Sequence, residues 1–212
     1  MDEFEPRLRV GQDEEPEEPE KDGEKAAKAE DKNRAVQKIL FDSRTVLLFG
    51  EVDEKLARDV ISQLLALGEA SRDTIRLVIS SPGGHVESGD AIHDMIRFVG
   101  APVKAIGTGW VASAGAHIFL AAEKENRYCT PNTRFLLHQP MGGVGGRATD
   151  IDIEAREILK MRERLNRVFA ERTGQSVERI AEDTRRNFWL DAKDAKKYGL
   201  VGRIIRNVAE LD

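Results

Sequence analysis

From Thr45 onward, short apolar runs alternate with stretches of helical periodicity, and this alternation restricts the fold more than any other feature of the 212 residues. Residues 45–49 read as a buried strand. Residues 54–67 carry apolar side chains at helical spacing and meet Gly68, a natural C-terminal cap. Residues 75–79 give a second strand, stopped by Ser81-Pro82-Gly83-Gly84, and 90–98 a second helix. A strand at 103–107, a buried helix at 114–122 and a strand at 134–138 follow. Beyond the flexible run Gly142-Gly143-Val144-Gly145-Gly146, Thr149 and Asp152 form a capping-box pattern for a long helix over 150–172, which Gly174 stops. A short helix starts near Ser176, 188–190 is strand-like, Asp191 caps a helix over 192–198 that Gly199 ends, and 201–205 closes as a strand. Alternating strands and helices predict an α/β fold with helices packed on sheets.

Residues 1–31 stand apart. They hold 13 acidic and 5 basic residues, a net charge near −8 against −5 for the whole chain, and almost no large apolar side chains. Such a segment cannot bury enough surface to offset its ordering entropy, so it is expected to be a disordered acidic tail ahead of a domain over 32–212. The remainder, near +3, shows no stripe of basic residues with interleaved aromatics, which argues against nucleic acid. Cys129 is the single cysteine, so no internal disulfide is possible, in keeping with a reducing compartment. With no apolar leader and no run of membrane-spanning length, the chain reads as soluble and cytoplasmic.

One serine and one histidine carry the chemistry. Ser113 sits among Ala112, Ala114, Gly115 and Ala116, where a backbone or a substrate can approach closely, just before a helix start that offers free N–H groups. A serine hydroxyl is a poor nucleophile without a nearby base. His138, 25 residues on, ends a strand, where the sites of α/β folds gather. The segment around Ser113 lacks the G-x-S-x-G elbow, because position 111 is valine, so taken alone it also reads as a close-packed turn. Ser81-Pro82-Gly83-Gly84 can aim N–H groups at a negative charge, or be an ordinary turn before a helix; its spacing fits no phosphate loop. His85 follows that turn and is placed to line a site. His93, with charged neighbours, reads as solvated, and His117 as a core or interface residue. No histidine has metal-ligand spacing with cysteine or carboxylates, so no metal is expected.

Taken together, Ser-Pro-Gly-Gly, Ala-Ser-x-Gly-Ala and Leu-His-Gln-Pro resemble the Clp protease proteolytic subunit (ClpP) family. So do Gly142-Gly143, Ala148-Thr149-Asp150-Ile151, Ala155-Arg156-Glu157-Ile158-Leu159, Thr173-Gly174-Gln175 and Tyr198-Gly199-Leu200. The resemblance implies the ClpP/crotonase-like fold, with repeated β-β-α units and a protruding helix-strand handle in which 144–147 pair two rings. It implies a serine endopeptidase that needs no cofactor, with Ser113 as nucleophile, His138 as general base, and the N–H groups of Gly84 and Ala114 as oxyanion hole. It also implies two stacked seven-membered rings, a chamber for unfolded protein substrates and an AAA+ unfoldase partner.

The chain departs from that family's pattern in four places. The third triad member is usually an aspartate, and the matching stretch Asp183-Thr184-Arg185-Arg186-Asn187-Phe188-Trp189 puts Asn187 there. Arg185 stands where an acid is usual, and Arg76 and Val78 where the family often has tyrosines lining the unfoldase pocket. The acidic tail replaces a short apolar N-terminal loop. A mixed ring with a ClpP paralogue would accommodate these departures. The alternative is a catalytically weak or inactive structural or regulatory subunit of such a ring. A crotonase-like acyl-CoA enzyme would leave the Ser113–His138 pair without a role.

Overall fold

The computed structural model describes residues 20–211, with side chains from residue 30 onward. Most of the acidic tail therefore lies outside the described residues. Its last part differs from the expected disorder: helix α1 runs Glu20–Asp42. Alanine, lysine and glutamate, which cannot form a core, are nonetheless strong helix formers. The main body begins at Leu40.

In that body β1 (Thr45–Phe49), β2 (Ile75–Ser81) and β3 (Val103–Ala112) lie parallel and side by side. Parallel neighbours need crossovers, and α2 (Glu54–Ala70) and α3 (Val86–Phe98) supply them. Asp53 caps α2 by accepting from the N–H of Leu56 at 2.7 Å. Ala57, Val60, Leu64 and Leu67 form its buried stripe against the sheet. Gly68 does not cap this helix; it lies inside it, and a Cβ there would stand 3.0 Å from the Val99 carbonyl oxygen, so close helix packing explains the glycine.

Strand β3 is longer than its sequence suggests and serves two sets of neighbours. Its first half pairs with β4 (Arg127–Cys129) and its second half with β5 (Arg134–Leu137), both parallel. Its pairing with β2 shifts register between Ile79↔Gly107 and Ser81↔Val111, and Gly109 in that stretch stands at φ +59°. Helix α4 (Ala114–Phe119) follows β3 directly. The succession β4, β5 and the long α5 (Ala148–Thr173) is the β-β-α unit in its plainest form. Thr149 is not the cap of α5, which starts two residues earlier than expected, with Arg147 at the N-cap and no side-chain bond. Gly174 does end it, in the left-handed conformation at φ +78°.

Helix α6 (Val177–Asp183), capped by Ser176, leads to β6 (Phe188–Asp191), which runs antiparallel to β5. Asp191 caps α7 (Ala192–Tyr198), Gly199 ends it, and β7 (Arg203–Ile204) pairs with β4. Residues 139–147 form no strand within the single chain. The strand of the expected helix-strand handle is therefore not formed here. The core gathers residues such as Leu48, Leu64, Leu77, Ile79, Ile92, Phe119 and Phe135 between sheet and helices. Cys129 is buried in β4, and burial pushes its thiol up to about 12. Among the described residues no helix is long and apolar enough to cross a membrane.

Candidate active site

All strands that end at the site are parallel, so their C-terminal ends fall along one edge. The register Ser81↔Val111 brings the turn after β2 beside the end of β3, and Ala112↔Leu136 brings the end of β5 to the other side. Ser113 sits between them, joining β3 to α4. It is a serine with φ +52°, a conformation that costs about 1–3 kcal/mol and persists only where neighbours impose it. Its N–H donates to the Leu136 carbonyl at 2.9 Å, and its own carbonyl accepts from Ala116 at 3.0 Å and His117 at 3.1 Å.

The small residues of the motif are explained by contact. A Cβ on Gly83 would lie 2.5 Å from the Ser113 Cβ, and one on Gly115 3.1 Å from the Ser81 Cβ. Gly84, at φ +147°, presses against Val52, where a Cβ would meet backbone oxygen at 2.3 Å. Val52 donates to Gly83 at 2.8 Å and accepts from His85 at 2.7 Å, so the N–H of Gly84 takes no part in that bridge. The N–H of Ala114, first in its helix, has no intrahelical partner.

His138 follows the last residue of β5. The pairing Leu137↔Phe188, continued one step, sets it opposite Asn187. The Nδ1 of His138 lies 3.2 Å from Oδ1 of Asn187. An amide oxygen only accepts, so Nδ1 is the donor in this contact. The loop beyond is pinned: Gln139 donates its N–H to Thr184 O at 2.7 Å and its side-chain amide to Arg185 O at 3.1 Å. Ser113, Ala114 and His138 line one pocket, whose other walls include Val86, Leu165 and Phe169.

A family model described as Clp protease matches residues 27–208. This chain belongs to the Clp protease family. The ATP-dependent Clp protease proteolytic subunit 2 of Gluconobacter oxydans is 64% identical over 174 residues, covering 81% of this chain and 78% of that protein. The corresponding subunit 3 of Rhizobium meliloti is 62% identical over 172 residues, covering 81% and 88%. Among solved structures, an Asn-to-Asp mutant of ClpP1 from Listeria monocytogenes superposes with a TM-score of 0.79 at 55% identity, over 84% of this chain and 99% of that one. The fold is thus the ClpP type expected from the motifs.

Of the remaining histidines, His117 is buried as the sequence suggests, and the other two fall elsewhere. His85 is tied up locally, with Nδ1 2.9 Å from Ser88 Oγ and Nε2 3.1 Å from Glu87. His93 is not solvated but buried, and its ring stacks on that of His117 at 4.4 Å with 5° between planes. Its position in the buried stripe Gly89, Ile92, His93, Ile96 of α3 was the available signal; its charged chain neighbours pointed the other way. Asp90 and Arg164 do not stand out as a pair in the sequence, because 74 residues separate them.

Burial, and then the charge of His117, lower the affinity of His93 for a proton below its ordinary value near 6.5. The groups around it are Asp90, Asp94 and Arg97 on α3, His117 on α4 and Arg164 on α5. The unfolded chain therefore binds this proton more readily than the native one. Stability should be full above about pH 6.5 and decline as pH falls below it, by at most about 1.4 kcal/mol per pH unit. Denaturant unfolding at pH 7.5 and 5.5 should show the loss, and His93→Phe should remove most of it. Asp90 does not contribute in this window. Burial raises its affinity for a proton, but hydrogen bonds from His117 and Arg164 outweigh that and hold it well below the usual carboxylate range.

Proposed function

We propose that this Clp-family serine endopeptidase subunit cleaves peptide bonds of unfolded chains with Ser113 as nucleophile and His138 as general base. The observation that carries this reading is the His138–Asn187 contact of 3.2 Å, in a pocket shared with a serine held at φ +52°. With its Nδ1 proton directed at Asn187, His138 offers Nε2 to take the Ser113 proton as the hydroxyl attacks the scissile carbonyl. The N–H groups of Gly84 and Ala114 receive the developing oxyanion. His138 then gives its proton to the leaving amine, and water hydrolyses the acyl-enzyme by the same route in reverse. The pocket beside Ser113, walled by Val86, Leu165 and Phe169, accepts the side chain preceding the scissile bond. Asn187 orients the imidazole but offers the imidazolium no full negative charge.

The relatives numbered as proteolytic subunits 2 and 3 support a subunit that works in rings, with copies of itself or with a ClpP paralogue, and we place those rings in the cytoplasm. Met141, Val144, Ile151 and Ile153 are exposed around the start of α5, which suits a helix-and-loop handle meeting another copy. Unfolded substrate would be delivered by an AAA+ unfoldase. The peptidase domain takes in residues 32–212, and the acidic tail precedes it. A fluorophosphonate probe applied to the assembled full chain should leave one adduct, mapped by peptide mass to Ser113, with loss of peptide cleavage. No adduct, alone or with the paralogue present, would sink the reading and leave a structural ring subunit.

A further inference from the structure

Helix α4 has six residues, Ala114–Phe119, too few to hold its own shape in isolation. Yet it must fix both the strained Ser113 and the first N–H of the helix. Five of its residues carry no polar side chain, and all six are buried. The exception is His117, which lines the pocket with Ser113 and donates its backbone N–H to the Ser113 carbonyl.

The His117 ring is held from several sides. Its Nε2 lies 2.9 Å from Asp90 Oδ1 on α3. Asp90 in turn receives both guanidinium arms of Arg164 on α5, at 2.9 and 2.5 Å. His93 stacks on one ring face, and Phe169 stands 6.3 Å away. At the far end of α4, Arg172 of α5 grips the carbonyls of Leu120 at 2.9 Å and Ala122 at 2.6 Å. Filling the space would need only an apolar ring. Instead the site buries a histidine whose Nδ1 has no partner, a cost of about 1–3 kcal/mol. What the histidine adds is the hydrogen bond from Nε2 to Asp90.

We propose that His117 is a positioning residue for the Ser113 reaction, tying α4 through Asp90 to Arg164. The proposal rests on Ser113 being the nucleophile. Through this tie the α3–α4–α5 contact holds the Ser113 backbone and the Ala114 N–H in the geometry the oxyanion requires. Displacement of a reacting group by a fraction of an ångström is enough to slow a well-oriented step.

The test measures fluorophosphonate labelling of the full-length assembled protein over a range of probe concentration, which separates probe affinity from the rate constant at saturation. His117→Phe keeps the ring and loses the bond. It should lower the saturating rate about tenfold with affinity and thermal midpoint little changed. His117→Gln packs less well but restores a donor to Asp90, and should recover most of the rate despite a lower midpoint. Arg164→Gln alters a half-exposed side chain that folding tolerates, and should cost a smaller factor. Full rate in His117→Phe, or rates that simply follow the thermal midpoints, would overturn the proposal. An unaltered chain that takes no label would instead overturn the nucleophile assignment and this inference with it.

Discussion

Replacing Asn187 with aspartate should raise kcat for a short fluorogenic peptide in assembled rings, by roughly ten- to a hundredfold, with KM little changed. The amide oxygen already stands 3.2 Å from the His138 Nδ1, so the exchange preserves shape and hydrogen bond and adds only charge. That charge is useful at one moment, when His138 holds the serine proton as an imidazolium. In a chymotrypsin-type protease the opposite exchange lowers kcat by roughly 10⁴. A smaller factor is expected here, because Asn187 is exposed and water screens a new carboxylate. An unchanged or lower kcat in rings of normal assembly would show that charge support at this position does not limit the reaction.

Gly83→Ala should abolish labelling of Ser113 and destabilise the fold by about 2–3 kcal/mol. The added methyl would stand 2.5 Å from the Ser113 Cβ, 2.9 Å from the Ala112 carbonyl oxygen and 3.1 Å from the Ala114 N–H nitrogen. None of these atoms is the end of a flexible side chain. The backbone conformation, at φ +95°, adds its own strain for any residue but glycine. Because the clash falls on both the proposed nucleophile and an oxyanion donor, activity should drop much further than stability does. Gly143→Ala is the matched control, since a Cβ there meets nothing within 4 Å. Retained labelling in Gly83→Ala would mean that Ser113 is not fixed by this contact.

Local chemistry was legible from the residues; long-range pairing was not. Asp191, Gly174 and Gly199 mark their helix ends in the sequence and in the structure because a cap acts within one turn. The same logic misleads at Gly68, where a glycine serves packing against Val99, and at Thr149, where the helix begins without a side-chain cap. Strand β4 escaped notice because its three residues Arg127, Tyr128 and Cys129 show no period. Its buried arginine is kept by carbonyls of Gly199 and Arg172 far along the chain. Glycines 107 and 109 look like a strand end, yet β3 continues to Ala112, held by β5. Ser113 and His138 stand out by residue type and neighbours. That His138 meets Asn187, however, is a product of the β5–β6 register, and the Asp90 tie of three helices follows from tertiary packing alone.

The state of Cys129 has a practical use. With its thiol pushed up to about 12 by burial inside β4, the thiolate that reacts with maleimides is scarce at neutral pH. The buried native thiol is therefore expected to react slowly with thiol reagents without any cysteine being removed. Gly143 and Gly145 have open space around them and lie a few residues from the pinned Gln139. A cysteine placed at either would be the one reactive thiol, so that a fluorophore or spin label attached there would follow the segment next to His138 during turnover in an otherwise unmodified chain.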